Sequence, residues 1–373
     1  MKLKGIRNVY LLGDLHFGVK NNSIEYYEIQ KDFLINWFIS KIKEDGFDPD
    51  KDILFQAGDW NHVRESTNNR VSNQQIEIFD RLTKEFKKGI HIILGNHDVY
   101  YKDRNDIHSL KQIDLLYKDV KIYEKPEILE INGKHRFLML PWESDDKKIT
   151  DTVKKHVNKV DYVLCHSDIK NFKLNRFQKI EHGLNPLNLK SFKKIYSGHI
   201  HIRQSAKNIV YLGTPFHLDR GDCGNTKGFY KLNMESDDIL ETFYENDYSP
   251  RYIKVNINEI LDLNIEKISK IFKNNFVDVL IDSEMSKNFP LTNFLDLITG
   301  CGHRTIEFIP FTKDRGSLKE KELNIDDNYE YNIFEILKIY LESRDTPHTI
   351  SKNIIKVFTD AYDRSKNKEK QYE

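Results

Sequence analysis

An α/β layered fold is predicted for the first two thirds of this chain, and three observations predict it. Short apolar runs rich in Ile, Val, Leu and Tyr recur. Amphipathic stretches at helical spacing lie between them. The alternation ends near residue 232. The runs occupy residues 9–12, 53–55, 90–94, 137–140, 162–165, 195–196 and 209–212, lengths that suit buried strands. Among the intervening stretches, Ile29, Phe33, Trp37 and Ile42 form one helical stripe, and Ile76, Phe79, Leu82 and Phe86 form another.

A polar run closing on Pro250 marks a boundary. Beyond it the order becomes strand (252–257), helix (264–275), strand (276–281), helix (291–300) and strand (305–311), a small α+β domain. A charged stretch over 312–330, with Gly316 and Ser317, reads as a second linker. Two amphipathic helices then close the chain. Ile333, Ile336, Leu337, Tyr340 and Leu341 share one helical face, as do Ile350, Ile354, Val357, Phe358 and Ala361. The expected division is therefore 1–245, 246–312 and 331–364, in line with a prior of roughly 150 residues per domain.

Lys and Arg together number 58, matching 58 Asp and Glu. That balance excludes a simple basic-patch protein, so attraction to nucleic acid would need local clusters, bound metals or a partner. Lys170, Lys173, Arg176 and Lys179 form one cluster, and Lys190, Lys193 and Lys194 another; a solvated Lys-rich face is the plain reading of both. Three cysteines without a C-x-x-C pair argue against a disulfide framework or a structural zinc site and fit a reducing cytosol. The apolar run near the N-terminus is four residues long, too short for a signal core or a span. A cytoplasmic protein without membrane attachment is expected.

The chemistry lies where the strands end. Asp14 and His16 follow the first run, Asp59 the second, Asn96 with His97 and Asp98 the third, His166 the fifth, and His199 and His201 the sixth. In α/β folds ligands bind outside the carboxyl ends of strands, so these side chains can converge. Asp, Asn and His without thiolate suit divalent Mn, Fe or Zn in mixed nitrogen and oxygen shells. On an extended strand end, Asp14 and His16 would point the same way, and so would His199 and His201. Gly13, Gly58, Gly95 and Gly198 each precede a candidate ligand, where the backbone must turn or approach closely.

This ordered set, over about residues 9–201, resembles the calcineurin-like metallophosphoesterases. The resemblance implies a two-sheet α/β/β/α sandwich with a bimetal centre. It implies that Asp14, His16, Asp59 and His201 hold one metal, and that Asp59, Asn96, His166 and His199 hold the other, with Asp59 bridging. His97, next to Asn96, is the candidate to protonate the leaving alcohol or to stabilise the transition state. Asp98, and His62 three residues after Asp59, resemble the branch of double-strand-break nucleases, the SbcD-type subunit with its phage and eukaryotic relatives. Length and compactness are similar to those of phage recombination endonuclease small subunits.

That resemblance implies further expectations. The activity is a Mn²⁺-dependent 3′–5′ double-strand exonuclease and structure-specific endonuclease using two divalent ions, with His62 orienting the DNA backbone. Residues 246–312 cap DNA. Ile333, Ile336, Leu337, Tyr340, Leu341, Ile354, Val357 and Phe358 dock on an SMC-type coiled-coil ATPase. The nuclease domain forms a homodimer, and the setting is a host cytoplasm if the chain is phage-encoded. Trp60 and Asn61 depart from the Phe and Asp usual in that branch, and the charged insert over 101–119 could face DNA. A small-molecule or cyclic-nucleotide phosphodiesterase, or a non-catalytic recombination scaffold, are the alternatives.

Overall fold

The computed structural model describes residues 1–66, 68–175, 178–282, 294, 298–311 and 355–356. Met1–Phe311 form one compact unit and Thr312–Glu373 a second. The partner-docking stripes, from Ile333 to Leu341 and at Ile354, Val357 and Phe358, lie outside the described residues.

Strands are numbered in chain order. A seven-stranded sheet has the order β1 (Lys2–Leu3), β6 (Glu127–Ile131), β7 (His135–Leu140), β8 (Tyr162–His166), β9 (Lys194–Gly198), β11 (Ile209–Tyr211), β10 (Gln204–Ala206). A six-stranded sheet has the order β13 (Leu240–Glu245), β12 (Gly228–Asn233), β2 (Asn8–Leu12), β3 (Asp52–Gln56), β4 (Ile90–Ile93), β5 (Val120–Tyr123). The inner strands β2, β3 and β4 are mutually parallel, as are β7, β8 and β9.

Period-two alternation explains why both faces of each sheet are buried. Along β2, Val9 and Leu11 face the other sheet and meet Phe137, Leu164 and Tyr196. Tyr10 and Leu12 face outward onto Phe33, Phe38, Ile78, Phe79 and Phe86 of the covering helices. On the seven-stranded sheet, Leu138, Val163 and Ile195 face Ile149, Val153 and Leu189. The result is the four-layer α/β/β/α sandwich. Each buried aliphatic or aromatic side chain contributes roughly 1.5–3 kcal/mol relative to exposure, so these continuous apolar faces dominate the stability of the fold.

Two expectations are corrected in detail. In the stripe Ile29, Phe33, Trp37, Ile42 three residues are buried as expected, whereas Trp37 is only half-buried and its neighbour Phe38 is buried. The helix is π-wound over Asp32–Phe38, and the wider turn rotates the following side chains backward around the axis. Strands β1, β5, β6, β10 and β13 were not anticipated. They are short or interrupted by charge, as by Glu127 and Glu130 in β6, so no continuous apolar run marks them.

The small domain is an all-parallel sheet, β14 (Tyr252–Asn256), β15 (Phe276–Asp282) and β16 (Thr305–Phe311). Its own core includes Ile260, Ile268, Phe272, Val277, Val279 and Ile298. The expected strand over 252–257 stops at Asn256, which caps a helix over Ile257–Leu261. It packs on the sandwich through aromatic stacking. Phe276 lies 4.7 Å from Tyr252 and 5.9 Å from Tyr26, ring centre to ring centre. Arg220 reaches from the sandwich to Asp278 at 3.0 Å and also pairs with Glu307, while Arg304 reaches back to Glu25 at 2.9 Å.

Candidate metal centre

The carboxyl ends of β2, β3 and β4 in one sheet meet those of β8 and β9 in the other, because the parallel register brings each pair of strands to the same edge. All seven candidate ligands project there. Asp14, His16 and His201 bring one donor atom each within 4.8 Å of one another, and so do Asp59, His166 and His199. Between the two groups stands Asp59, whose Oδ2 is 3.7 Å from His16 Nε2 and 3.3 Å from His166 Nε2. Asn96 Oδ1 joins the second group, 2.9 Å from both His166 Nε2 and His199 Nδ1. In the first group His16 Nε2 is 2.9 Å from His201 Nε2 and 3.9 Å from Asp14 Oδ2.

Strand alternation does not produce this arrangement, and that expectation is corrected. His16, Asp59 and His199 have φ of 53°, 55° and 81°, in the left-handed region. Such backbone costs of order 1–3 kcal/mol per residue and persists where surrounding contacts over-determine it. Here Leu15 N and His16 N both donate to Asp59 O at 3.0 Å, and Gln30 Nε2 donates to the carbonyls of Leu15 and His16. His199 N donates to both carboxylate oxygens of Asp14 at 3.0 and 3.1 Å. As a consequence His199 and His201, two residues apart, enter different donor groups. Gly58 has φ of 89°, which relieves a turn, whereas Gly95 is needed for space: a Cβ there would stand 2.2 Å from Asp59 Oδ1.

The donor chemistry fits cations. His166 Nδ1 faces the carbonyl of Ala57 at 2.8 Å, which places a proton on Nδ1 and aims Nε2 at Asp59 and Asn96. Desolvation opposes a charge on His166, yet Asp59 and Asp14 push its pKa up to about 9. Burial likewise pushes Asp14 up to about 8, and Asp59 adds to that rise. Asp59 itself is held well below the usual carboxylate range despite its burial, by the imidazoles of His166 and His16. Burial also lowers His16 and His201, so the cage presents unprotonated imidazole nitrogens beside carboxylates, a donor set that divalent cations bind. Donor separations of 2.9–3.9 Å also suit ions held about 2.0–2.2 Å from each nitrogen or oxygen.

Of the supports behind the candidate ligands, only Asp98 stood in a motif. Asp168 Oδ1 accepts from His199 Nε2 at 3.1 Å, so His199 presents Nδ1 to the cage. The spacing His166-x-Asp168 was its only mark in the chain. Buried Asp98 accepts from the amides of Gly95, Trp60 and Asn61 at 2.9–3.3 Å, stapling the Asp59 loop to the Asn96 loop. Lys227 Nζ, buried, donates to the His201 carbonyl at 2.7 Å and to Asp222. Trp60, the departure from the usual motif, points away from the cage and stacks between Phe17 and Phe79. Its neighbour Asn61 donates to Ser109 at 2.7 Å and pairs with Gln75.

His62 and His97 stand together beside the first group. Their rings stack at 5.3 Å with 9° between planes, and with His16 they bring one nitrogen each within 4.8 Å of one another. His97 Nδ1 donates to the His62 carbonyl at 2.7 Å, and His97 N donates to Asp59 Oδ1 at 2.8 Å. His62 Nδ1 is 3.3 Å from His16 Nδ1. The insert over 101–119 is partly tied to the body: Asn105 donates to the carbonyl of Trp142 at 3.0 Å, and His108 pairs with Glu124.

Residues 7–203 match the calcineurin-like phosphoesterase family. The chain is also similar to exonuclease subunit 1 of Enterobacteria phage T4, 31% identical over 230 residues. That match covers 61% of this chain and 64% of the phage protein, so the chain spans less than two thirds of its relative's length. This chain belongs to the calcineurin-like phosphoesterases and is a metal-dependent hydrolase.

Proposed function

From that family membership we propose that the chain is a DNA nuclease using two divalent ions, Mn²⁺ foremost. It acts as a 3′–5′ double-strand exonuclease and structure-specific endonuclease, with an SMC-type ATPase, in DNA recombination, repair or replication. The observation that carries the reading is the shared Asp59. Two donor groups meeting at one carboxylate suit a pair of cations acting on a single phosphate. The similarity to a protein named as an exonuclease subunit supports DNA as substrate and a larger assembly as its setting.

Asp14, His16, Asp59 and His201 would hold one ion; Asp59, Asn96, His166 and His199 would hold the other. Bound there, the ions would supply Lewis-acid charge that clamps the phosphate, stabilises the entering and leaving oxygens and lowers the pKa of water. The protein's own groups do the rest. His97 spends its Nδ1 proton on the His62 carbonyl, so Nε2 is the nitrogen that exchanges a proton. As an imidazolium, His97 delivers that proton to the leaving alcohol. The backbone bond from His97 N to Asp59 Oδ1 fixes this group to the shared carboxylate. His62 lies flat against His97 and orients the DNA backbone during exonuclease action.

The small domain over 246–312 caps the DNA, the nuclease domain pairs with a second copy, and the segment over 331–364 docks on the ATPase. For a phage-encoded chain the setting is the host cytoplasm. The described residues include no helix long and apolar enough to cross a membrane. The test is a Mn²⁺-supplemented assay of the full chain on linear duplex DNA and on bis-p-nitrophenyl phosphate. Cleavage of both is expected. Efficient turnover of the small ester with intact duplex would overturn the nuclease reading and favour a small-molecule phosphodiesterase.

A further inference from the structure

The structure gathers lysines that are scattered in the chain. Lys170, Lys173, Lys179, Lys190 and Lys207 line one groove of about 350 Å³ along the β10–β11 edge of the seven-stranded sheet. They come from three segments: the hairpin-like loop after β8, the turn over Pro186–Leu189 and the β10–β11 connection. No carboxylate lines the groove, and among the described residues none of the five ammonium groups is in an ion pair. The remaining lysines of the clusters behave differently. Lys193 pairs with Asp238 at 2.7 Å and Lys194 with Glu241 at 2.9 Å, so their charge is neutralised within the chain.

Backbone geometry concentrates the charge further. Lys173 and Lys179 are direct partners in an antiparallel bridge, which sets both side chains on one side, and like charges so placed are destabilising. The position is nonetheless enforced: Gln204 clasps the Lys173 backbone, accepting from its N at 3.0 Å and donating to its O at 2.7 Å. Gln204 lies three residues beyond His201, so the clasp is within about 10 Å of that ligand along the chain. A DNA strand places successive phosphates 3.4 Å apart along the helix axis, so along the chain the clasp lies no more than about three nucleotides from that ligand.

We infer that this lysine-lined groove is a binding site for the phosphate backbone of the duplex beside the cleaved bond. The inference rests on the nuclease reading. An acidic protein segment shares the charge, but the tie through Gln204 to the metal loop favours the substrate. Each lysine that neutralises a phosphate adds about one unit to the slope of log K against log salt.

The test uses the full chain and a fluorescein-labelled duplex in EDTA, where hydrolysis does not obscure binding. K173A/K179A/K190A/K207A is expected to bind more weakly, with a slope shallower by between about three and four units. K173R/K179R is expected to keep the wild-type slope, and melting temperatures of both variants report whether the fold survives. A wild-type slope in the folded alanine variant overturns the groove while leaving the nuclease reading standing. Loss of slope in the folded arginine variant overturns it too, because charge is then not what binds. Wild-type protein that turns over bis-p-nitrophenyl phosphate yet neither binds nor cuts duplex overturns both readings together.

Discussion

The two donor groups differ in what stands behind them. In the group of Asp59, Asn96, His166 and His199, each imidazole is braced by an oxygen: the Ala57 carbonyl holds His166 and the Asp168 carboxylate holds His199. In the group of Asp14, His16 and His201, the nitrogen of His16 away from the cage meets another imidazole, His62, at 3.3 Å. His201 is 37% exposed while His166 is fully buried. The braced group is preorganised, since a carbonyl or carboxylate fixes both ring orientation and tautomer. The other opens toward solvent and toward His62 and His97. Under the proposed function, one group serves as an anchor and the other as the side where substrate and proton transfer would meet.

The shared carboxylate gives the largest effect. Asp59→Asn should abolish two-ion binding and lower turnover of a phosphodiester by at least about 1,000-fold, read by calorimetric Mn²⁺ titration together with kinetics. A variant that still binds two ions with unchanged affinity removes Asp59 as the bridge. Next comes His97→Ala, which should lower kcat by about 100- to 10,000-fold while the titration still reports two ions. Wild-type turnover in that variant excludes His97 as the acid.

The comparison itself is tested by unequal losses in metal binding. Asp168→Ala should weaken one ion by about 10- to 100-fold and leave the other unchanged. His62→Ala should weaken the other ion less, because an imidazole is a poorer brace than a carboxylate, and should impair exonuclease more than endonuclease action. Equal losses in the two variants would erase the distinction between anchor and open side.

A last expected effect concerns stability away from the cage. Desolvation lowers the pKa of buried His91 to about 3, with Lys121 adding to the shift. Its unfolded value is near 6.5, so as pH falls from about 6.5 to 3 the unfolded chain gains a proton that the folded one refuses. Stability therefore falls over that window by up to about 1.4 kcal/mol per pH unit. Urea melts of His91→Leu between pH 6.5 and 4 should show a shallower decline than wild type, and an identical slope would assign the acid sensitivity elsewhere.

The contrast between the lysine clusters shows where reading the chain alone stops. Lys190 and Lys193 are three positions apart, yet one lines an open groove and the other is paired with Asp238. Nothing local distinguishes them, because the neutralising carboxylate arrives from a distant hairpin. The π-wound turn that buries Phe38 in place of Trp37 is a similar case, decided by packing against Phe229 and Phe86.

By itself the sequence determined the layered fold and the ordered set of Asp, Asn and His at strand ends, since period-two burial and short motifs are local properties. How those residues divide was an implication of the resemblance, and the physical cause of that division lies in the tertiary structure. His16 meets His201 across 185 positions, and His166 meets Asn96 across 70. His199 and His201, two apart, separate because left-handed backbone at His199, held by the Asp14 carboxylate, turns them to different groups. The braces at Asp168 and Lys227 belong to the same category. Their effect depends on distances through space between strand ends of two sheets, and chain order does not encode those distances.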